Sequence, residues 1–142
     1  MSGSYIPKAV RDGVAEQSKH RCGYCLTAEA IVGTFMEYDH LIPEALGGPT
    51  MEDNLWLACS LCNDYKGDRI AGLDPVTNEV APLYDPRRQV WSDHFQWIVE
   101  GSHIAGLTPT GRATVIVLNL NRAVLVIARR AWVAVGWHPP FD

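Results

Sequence analysis

Two CxxC pairs constrain the fold of this chain more than any other feature, and they contain all of its cysteines: Cys22, Cys25, Cys59 and Cys62. A CxxC pair at a turn brings two sulfur atoms close enough to bind one ion, and two such pairs supply the four thiolates of a tetrahedral zinc site. Because protein atoms would fill every position, this zinc would be structural and not catalytic. A chain this short gains much of its folding free energy from such an ion.

Disulfide bonds and a thioredoxin-like redox pair are the two other uses of these cysteines. The N-terminal stretch MSGSYIPKAVRDG has no apolar segment like that of a secretory signal, and no uncharged apolar run is long enough to span a membrane. We therefore expect a location in the reducing cytoplasm, where disulfides are rare. A redox pair would leave the second CxxC unexplained, so structural zinc is the favoured interpretation.

The composition fits a single soluble domain. Of the 142 residues, 47% are hydrophobic and 20% are charged, which is typical of a globular chain with a modest core. The net charge of -4 and the pI of about 5.7 differ from the basic character of most nucleic-acid-binding proteins. Any contact with DNA must therefore depend on local positive charge.

Local patterns in the N-terminal half predict two strands between two helices. Residues 7–18 are expected to be helical, because Val10 and Val14 are spaced for one helix face. GTFMEYDHLIP should form a strand that ends near Asp39. The turn cluster EALGGPT follows, NLWLACSLC returns the chain to the second CxxC pair, and a helix should start in NDYKGDRI.

The C-terminal half should begin with an irregular surface segment, LDPVTNEVAPLYDPRRQ, because of its prolines. HFQWIVEGSHIAGLT is expected to form a hairpin that turns near Gly101-Ser102. Two helices should follow, with Asn121 capping the second and Gly136 ending it, although the TVIVL run has the composition of a strand. The predicted fold class is α+β, with flanking helices and a C-terminal hairpin plus helices.

Three polar residues should meet where the strand, turn and helix come together between the CxxC pairs. Asp39 and Asn63 offer the oxygen ligands that a hard cation such as Mg²⁺ prefers. His40 is a base suited to deprotonating a water near neutral pH. Alone, His40 would more often be an ordinary surface histidine, and Asn54 a turn residue. Together with Asp39 and an Asn63 that follows a CxxC, they favour a site that hydrolyses phosphodiesters.

The stretch DHLIPEALGGPTMEDNLWLACSLCNDYKGDR resembles the HNH endonuclease motif, also called the ββα-metal motif. His40 matches the first His and Asn54 the middle Asn. Asn63 stands at the final His position, a variant often seen when Asp precedes the first His. The bracketing CxxC pairs match the zinc-containing branch of the family.

The resemblance covers about residues 20–70 closely, and this range is expected to be the core of one domain that spans residues 1–142. The extension over about residues 71–142 resembles that of small stand-alone bacterial and phage members. The family implies a ββα-metal core held together by a four-cysteine zinc site. It also implies a divalent-cation-dependent endonuclease whose substrate is DNA.

The resemblance assigns a role to each site residue. It implies that His40 is the general base, and that Asp39 and Asn63 hold Mg²⁺ or another divalent cation. Asn54 would not be a ligand; it would brace the loop between the strands so that His40 points at the phosphate. The zinc ligands would be Cys22, Cys25, Cys59 and Cys62.

Positive side chains near the motif have two interpretations each. Lys66 and Arg69 follow Asn63 and could bind substrate phosphates, or they could simply be solvated. Arg112 could contact a phosphate or pair with a carboxylate. A rival function is a zinc-stabilised module that binds DNA or protein without cleaving it, and the acidic pI slightly favours a protein partner. The complete set of motif residues favours cleavage, because a binding module does not need it.

The sequence pattern of the last helix predicts one face that packs on the core and a second contact surface. At 100° per residue, one broad face contains Val124, Ile127, Ala128, Ala131, Trp132 and Val135. Arg122 and Arg129 then lie on the opposite side, with Val126 and Val133 among the arginines. Two valines on an outward face suggest a possible homodimer, unless the N-terminal helix covers them within one chain.

Overall fold

The computed structural model describes residues 5–141, and within them the chain is a mixed α+β protein. Residues 1–4 lie outside the described residues. They are part of the N-terminal stretch in which no secretory signal is expected. The helices are α1 (Lys8–Gln17), α2 (Glu29–Val32), α3 (Ser60–Lys66), α4 (Trp91–His94), α5 (Pro109–Val117) and α6 (Ala123–Ala134). The strands pair in order as three antiparallel hairpins: β1 (Glu37–His40) with β2 (Leu55–Ala58), β3 (Ala71–Leu73) with β4 (Val80–Pro82), and β5 (Phe95–Ile98) with β6 (His103–Gly106).

The described chain divides into two compact units. The first contains residues 5–70 together with Asp85–Arg88, and the second contains Ala71–Tyr84 together with residues 89–141. The expectation that the whole chain folds as one domain stays a prediction. In the described part, no helix has the length and apolar character needed to cross a bilayer.

The first unit is built around the β1–β2 hairpin. Its register pairs Glu37 with Ala58 and His40 with Leu55, so β1 ends one residue beyond the expected Asp39. The connecting loop contains two short 3-10 turns, Glu44–Leu46 and Glu52–Asn54. A Cβ at Gly48 would overlap the carbonyl oxygen of Ile42, so this loop needs glycine there. The core beneath the hairpin is formed by buried apolar residues of α1 and β2: Val14, Ala15, Leu55, Leu57 and Ala58.

The short segment Asp85–Arg88 belongs to the first unit through its two arginines. The Arg87 guanidinium lies over the Trp56 ring, 5.0 Å from its centroid, and donates to the Leu55 carbonyl at 3.0 Å. Arg88 donates to the Asp53 carbonyl at 3.0 Å. These bonds fasten the segment to the start of β2.

The expectation of an irregular segment after residue 70 was wrong, because β3 and β4 form a hairpin there. Its turn is organised by the buried Asp74 carboxylate, which accepts hydrogen bonds from the backbone N–H groups of Val76 and Thr77. Arg112 closes the turn with two bonds to Asp74, at 2.8 and 3.0 Å. The prolines stand in the turn and at the strand end, where they do not interrupt pairing. Arg112 is therefore an ion-pair partner.

The C-terminal hairpin and both C-terminal helices were predicted correctly. β5 and β6 pair from Phe95 with Gly106 to Ile98 with His103. The β-branched TVIVL run is helical, within α5 and its C-terminal end. Asn121 does not cap α6; its side chain instead exchanges two hydrogen bonds with the backbone of Ile104, at 2.7 and 2.9 Å.

The predicted orientation of α6 was wrong. Val126 is buried together with Leu125 and Arg129, whereas Val124 is 75% exposed and Ile127 is 66% exposed. Arg129 turns inward because its guanidinium donates to the Ser102 carbonyl at 3.1 Å and lies 5.3 Å from the centroid of the Trp97 ring. Apolar residues occupy both sides of this helix, so periodicity alone selected the wrong face. Since Val126 is not an outward residue, the basis for the expected homodimer is lost.

Candidate metal centre and catalytic cleft

The four cysteines converge in the first unit. The sulfur atoms of Cys22, Cys25, Cys59 and Cys62 all lie within 4.8 Å of one another, and none of them is in a disulfide. The Cys25 and Cys59 sulfurs are 3.8 Å apart. A tetrahedron with Zn–S bonds of about 2.3 Å has edges of about 3.8 Å, so this donor set fits zinc. The four cysteines are positioned to form a metal site.

The electrostatics of the cluster agree with a bound cation. Burial raises the pKa of the Cys22 thiol, while the hydrogen bond with Cys22 lowers the pKa of Cys25. Four thiolates in one buried cluster would repel each other strongly unless a dication neutralised them. The backbone N–H of Cys62 also points at the Cys59 sulfur, at 3.5 Å.

Both CxxC turns are attached to the β1–β2 hairpin. In the first, the Gly23 N–H donates to the Leu57 carbonyl at 2.9 Å, which joins the turn to β2. The second turn forms the start of α3, where Cys59 is the N-cap. The helix therefore begins at Ser60, earlier than the sequence suggested, because the cysteine turn itself starts it. An ion in the cluster would fix α3 relative to both strands.

A cleft of about 310 Å³ opens beside the end of β1 in this unit. It is lined by β1, the following loop and α3, through Tyr38, Asp39, His40, Pro43, Glu44, Ala45, Asn63, Gly67 and Asp68. Asp39, His40 and Asn63, which the sequence placed in one site, thus line the same cleft. Acidic side chains predominate among the charged groups, which suits a cation more than an anion.

One ring nitrogen of His40, Nε2, has neighbours that hold the side chain in place. Its Nε2 lies 2.9 Å from the Thr50 hydroxyl and 3.9 Å from a Glu44 carboxylate oxygen. The side chain is 8% exposed. A histidine that lines a cleft and is fixed at one nitrogen presents its other nitrogen in a defined direction.

Asn54 spans the loop between β1 and β2. Its side-chain oxygen accepts from the Ile42 N–H at 2.8 Å, and its amide nitrogen donates to the carbonyls of Ile42 and Pro49 at 3.0 and 2.8 Å. These three bonds link both ends of the loop that follows His40. The geometry suits a brace, while its effect on a reaction stays a prediction.

The comparison with protein families agrees with this arrangement. Residues 22–69 match the family model described as HNH endonuclease. These residues are an HNH domain. Neither the curated proteins nor the solved structures contain a significant match to the chain. An HNH domain indicates a nuclease or nucleic-acid-binding role.

Asp39 occupies the centre of a buried polar network in the HNH domain. Tyr24 donates its hydroxyl to Oδ2 at 2.6 Å, and the Lys66 ammonium donates to Oδ1 at 3.1 Å. Burial raises the pKa of the Asp39 carboxyl, and the Lys66 charge opposes that rise. Asp39 lines the cleft although it is only 3% exposed.

Asn63 is the second oxygen donor of the cleft. Its amide nitrogen donates to the Glu37 carboxylate at 2.9 Å, so the amide oxygen is the atom that Asn63 can offer to a cation. Each oxygen of the Asp39 carboxylate keeps a second lone pair beside its hydrogen bond. The oxygen donors of the HNH cleft therefore fit a hard divalent cation, provided that the cation shares Asp39 with Lys66.

The two expected phosphate contacts lie in different surroundings. Lys66 is 2% exposed, and its ammonium faces Asp39 and the carbonyls of His40 and Leu41. This inward placement does not suit a contact with DNA. Arg69 is exposed at the C-terminal side of α3 and donates to the Tyr65 carbonyl at 2.7 Å. Arg69 remains available at the surface.

The sequence did not reveal three residues that shape the HNH cleft. Tyr24 lies inside the first CxxC turn, Glu44 is in the loop after β1, and Thr50 comes two residues after the double glycine. One indication was present in the sequence, because Tyr24 stands between two candidate zinc ligands, Cys22 and Cys25. The contacts of Thr50 and Glu44 depend on how the loop folds back over His40, and no spacing rule predicts them.

Proposed function

We propose that this protein is a divalent-cation-dependent endonuclease that hydrolyses phosphodiester bonds in DNA. The observation that carries the proposal is the single cleft lined by His40, Asp39 and Asn63 within an HNH domain. The complete set of His40, Asp39, Asn54 and Asn63 supports it, because a binding module would have no need of that set.

The chemistry assigned to the cleft uses one base and a braced loop. His40 takes a proton from a water, whose oxygen attacks the phosphorus. The bond from phosphorus to the 3′ oxygen breaks, and this oxygen takes a proton from solvent. The products are a 3′-hydroxyl and a 5′-phosphate, as the family resemblance implies. Asn54 keeps the loop after β1 in place, so that His40 stays aimed at the phosphate.

Asp39 and Asn63 would hold Mg²⁺ or another divalent cation at this site. When bound, such a cation supplies positive charge that stabilises the phosphate and the leaving oxygen. The acidic side chains around the cleft, Glu37, Glu44 and Asp68, would add to its attraction.

The four-cysteine cluster is assigned to a structural zinc ion. Its four positions are filled by sulfur, so no position is open to a substrate or water. The ion would fix the start of α3 against the β1–β2 hairpin, and with it the distance between Asn63 and Asp39. A reducing cytoplasmic location suits four thiolates.

Contacts with DNA must be few and local in an acidic protein. Arg69 is our candidate for a phosphate contact, because it is exposed and follows two residues, Gly67 and Asp68, that line the cleft. Its removal should weaken DNA binding with little change in cleavage rate at saturating DNA.

Plasmid cleavage tests the proposed function. Supercoiled DNA should be nicked or linearised with Mg²⁺ or Mn²⁺, and EDTA should prevent it. The matched control is His40→Ala purified in the same way, which should keep its fold and zinc while cleaving at least about 10²-fold more slowly. Equal cleavage by wild type and His40→Ala would reject the assigned base. DNA binding without cleavage in any cation would favour a binding module.

A further inference from the structure

Lys66 is the most deeply buried charged residue of the HNH domain, and it lies behind Asp39 without lining the cleft itself. It ends α3, is 2% exposed, and its ammonium donates to Asp39 Oδ1 and to the carbonyl oxygens of His40 and Leu41, at 3.1, 3.1 and 3.3 Å. Two charges removed from water in this way persist only when they are paired and hydrogen-bonded. The pair therefore stabilises an ionised Asp39 without any bound ion.

We propose that Lys66 is a resident cation beside the cleft, which holds Asp39 in place and competes with the divalent cation for its carboxylate. The inference rests on the proposed function, because it takes Asp39 as a ligand of that cation. Lys66 is thus a positioning residue that also limits cation affinity. Cleavage then needs a higher cation concentration than the donor set alone would require.

The argument follows from the bonds of the carboxylate. The neutral Tyr24 hydroxyl donates to Oδ2 and the Lys66 ammonium donates to Oδ1, so a cation that reaches either oxygen from the cleft meets a carboxylate already paired with a positive charge. Two positive charges beside one carboxylate repel each other, and the repulsion is large where water is scarce. Neutralising Lys66 should therefore strengthen cation binding.

A purely structural role predicts the opposite sign. If Lys66 only ties the end of α3 to the end of β1 through its carbonyl bonds, its removal should loosen the cleft and weaken cation binding. The direction of the change in cation affinity therefore separates the two roles.

The experiment measures Mn²⁺ binding to the zinc-loaded protein by electron paramagnetic resonance, without DNA. Lys66→Gln removes the charge but retains a hydrogen-bond donor, and it should bind Mn²⁺ at least tenfold more tightly than wild type, a gain of about 1.4 kcal/mol. Arg69→Gln is the matched control, since it removes the same charge near the same helix end without touching Asp39. Its affinity should change less than twofold. Tyr24→Phe removes the other Asp39 bond at constant charge and should also change affinity little.

Unchanged or weaker Mn²⁺ binding by a folded Lys66→Gln overturns the inference. If wild type itself neither binds Mn²⁺ nor cleaves DNA with it, the proposed function fails and the inference fails with it. If Lys66→Gln and the apolar Lys66→Met both unfold, the ammonium signal of wild-type Lys66 in ¹H–¹⁵N NMR provides the test. Saturating Mg²⁺ should shift this signal, and an unchanged signal overturns the inference.

Discussion

The Nε2 atom of His40 lies 2.9 Å from the hydroxyl oxygen of Thr50. An imidazole has one donor and one acceptor nitrogen when neutral, so a hydrogen on Nε2 that points at this hydroxyl leaves the lone pair on Nδ1. Thr50 follows Pro49 in the loop between β1 and β2. The hydroxyl can accept from Nε2–H or donate to Nε2. Only the first arrangement leaves the Nδ1 lone pair for the base, so we expect the loop that Asn54 braces to hold that tautomer.

Thr50→Val should slow cleavage by about tenfold, because His40 loses the hydrogen-bond partner that holds Nε2 but keeps its chemistry. Thr50→Ser retains the hydroxyl and should cleave like wild type. The change should fall on kcat, with KM for DNA unchanged. ¹⁵N chemical shifts of the His40 imidazole should show hydrogen mainly on Nε2 in wild type and a mixture in Thr50→Val. An unaltered tautomer in Thr50→Val would contradict the assignment.

Asp39→Ala should lower the free energy of unfolding by about 3–5 kcal/mol, because it leaves the Lys66 ammonium buried without its carboxylate. This loss is separate from any effect on cation binding. Urea unfolding of the zinc-loaded protein measures it. Asp39→Ala combined with Lys66→Met removes both charges and should regain much of the lost stability. A double variant as unstable as the single one would show that the pair is not the cause.

Much of the first unit could be predicted from the sequence because strong local signals coincide there. The CxxC pairs fix two turns, the β-forming run before Asp39 fixes one strand, and Asn63 follows Cys62 directly. These signals also placed Asp39, His40 and Asn63 beside one cleft. The inward direction of Lys66 could not be predicted, because it results from a contact between the end of α3 and the end of β1.

The second unit was harder to predict because its signals are ambiguous. Prolines near Asp74 favoured an irregular segment, although the buried Asp74–Arg112 pair organises a hairpin there. In α6, apolar residues lie on both sides, and the buried position of Arg129 contradicts the usual preference of arginine for water. Both errors come from charged side chains whose partners are distant in sequence.

Removal of the ion from the cysteine cluster should unfold the first unit. Elemental analysis should find about one zinc per chain, and a thiol-modifying reagent should release it together with loss of helical circular dichroism. The reason is that α3 begins at the cluster and the first CxxC turn bonds to β2, so both lose their support. A folded, active protein that contains no zinc would contradict this expectation. Cys59→Ser should reduce zinc affinity, whereas Ser60→Ala, at the neighbouring exposed position, should not.

The Asp74–Arg112 pair should make the second unit sensitive to acid. The Arg112 guanidinium holds the pKa of Asp74 well below its usual range, mainly through their hydrogen bonds. Since the unfolded carboxyl has an ordinary pKa of about 3.9, the pair contributes its full stability above about pH 4 and loses it as the pH falls further. Arg112→Ala should therefore be less stable than wild type at pH 6, and the two stabilities should converge as the pH falls towards about 2.

Urea unfolding followed by tryptophan fluorescence measures the difference in stability between wild type and Arg112→Ala. Both proteins contain the same cysteine cluster, so its acid sensitivity cancels when they are compared at the same pH. Arg112→Lys keeps the charge without the two paired bonds, so its stability should lie between those of wild type and Arg112→Ala. A difference between wild type and Arg112→Ala that stays constant across this pH range would show that the ion pair is not the source of the stability.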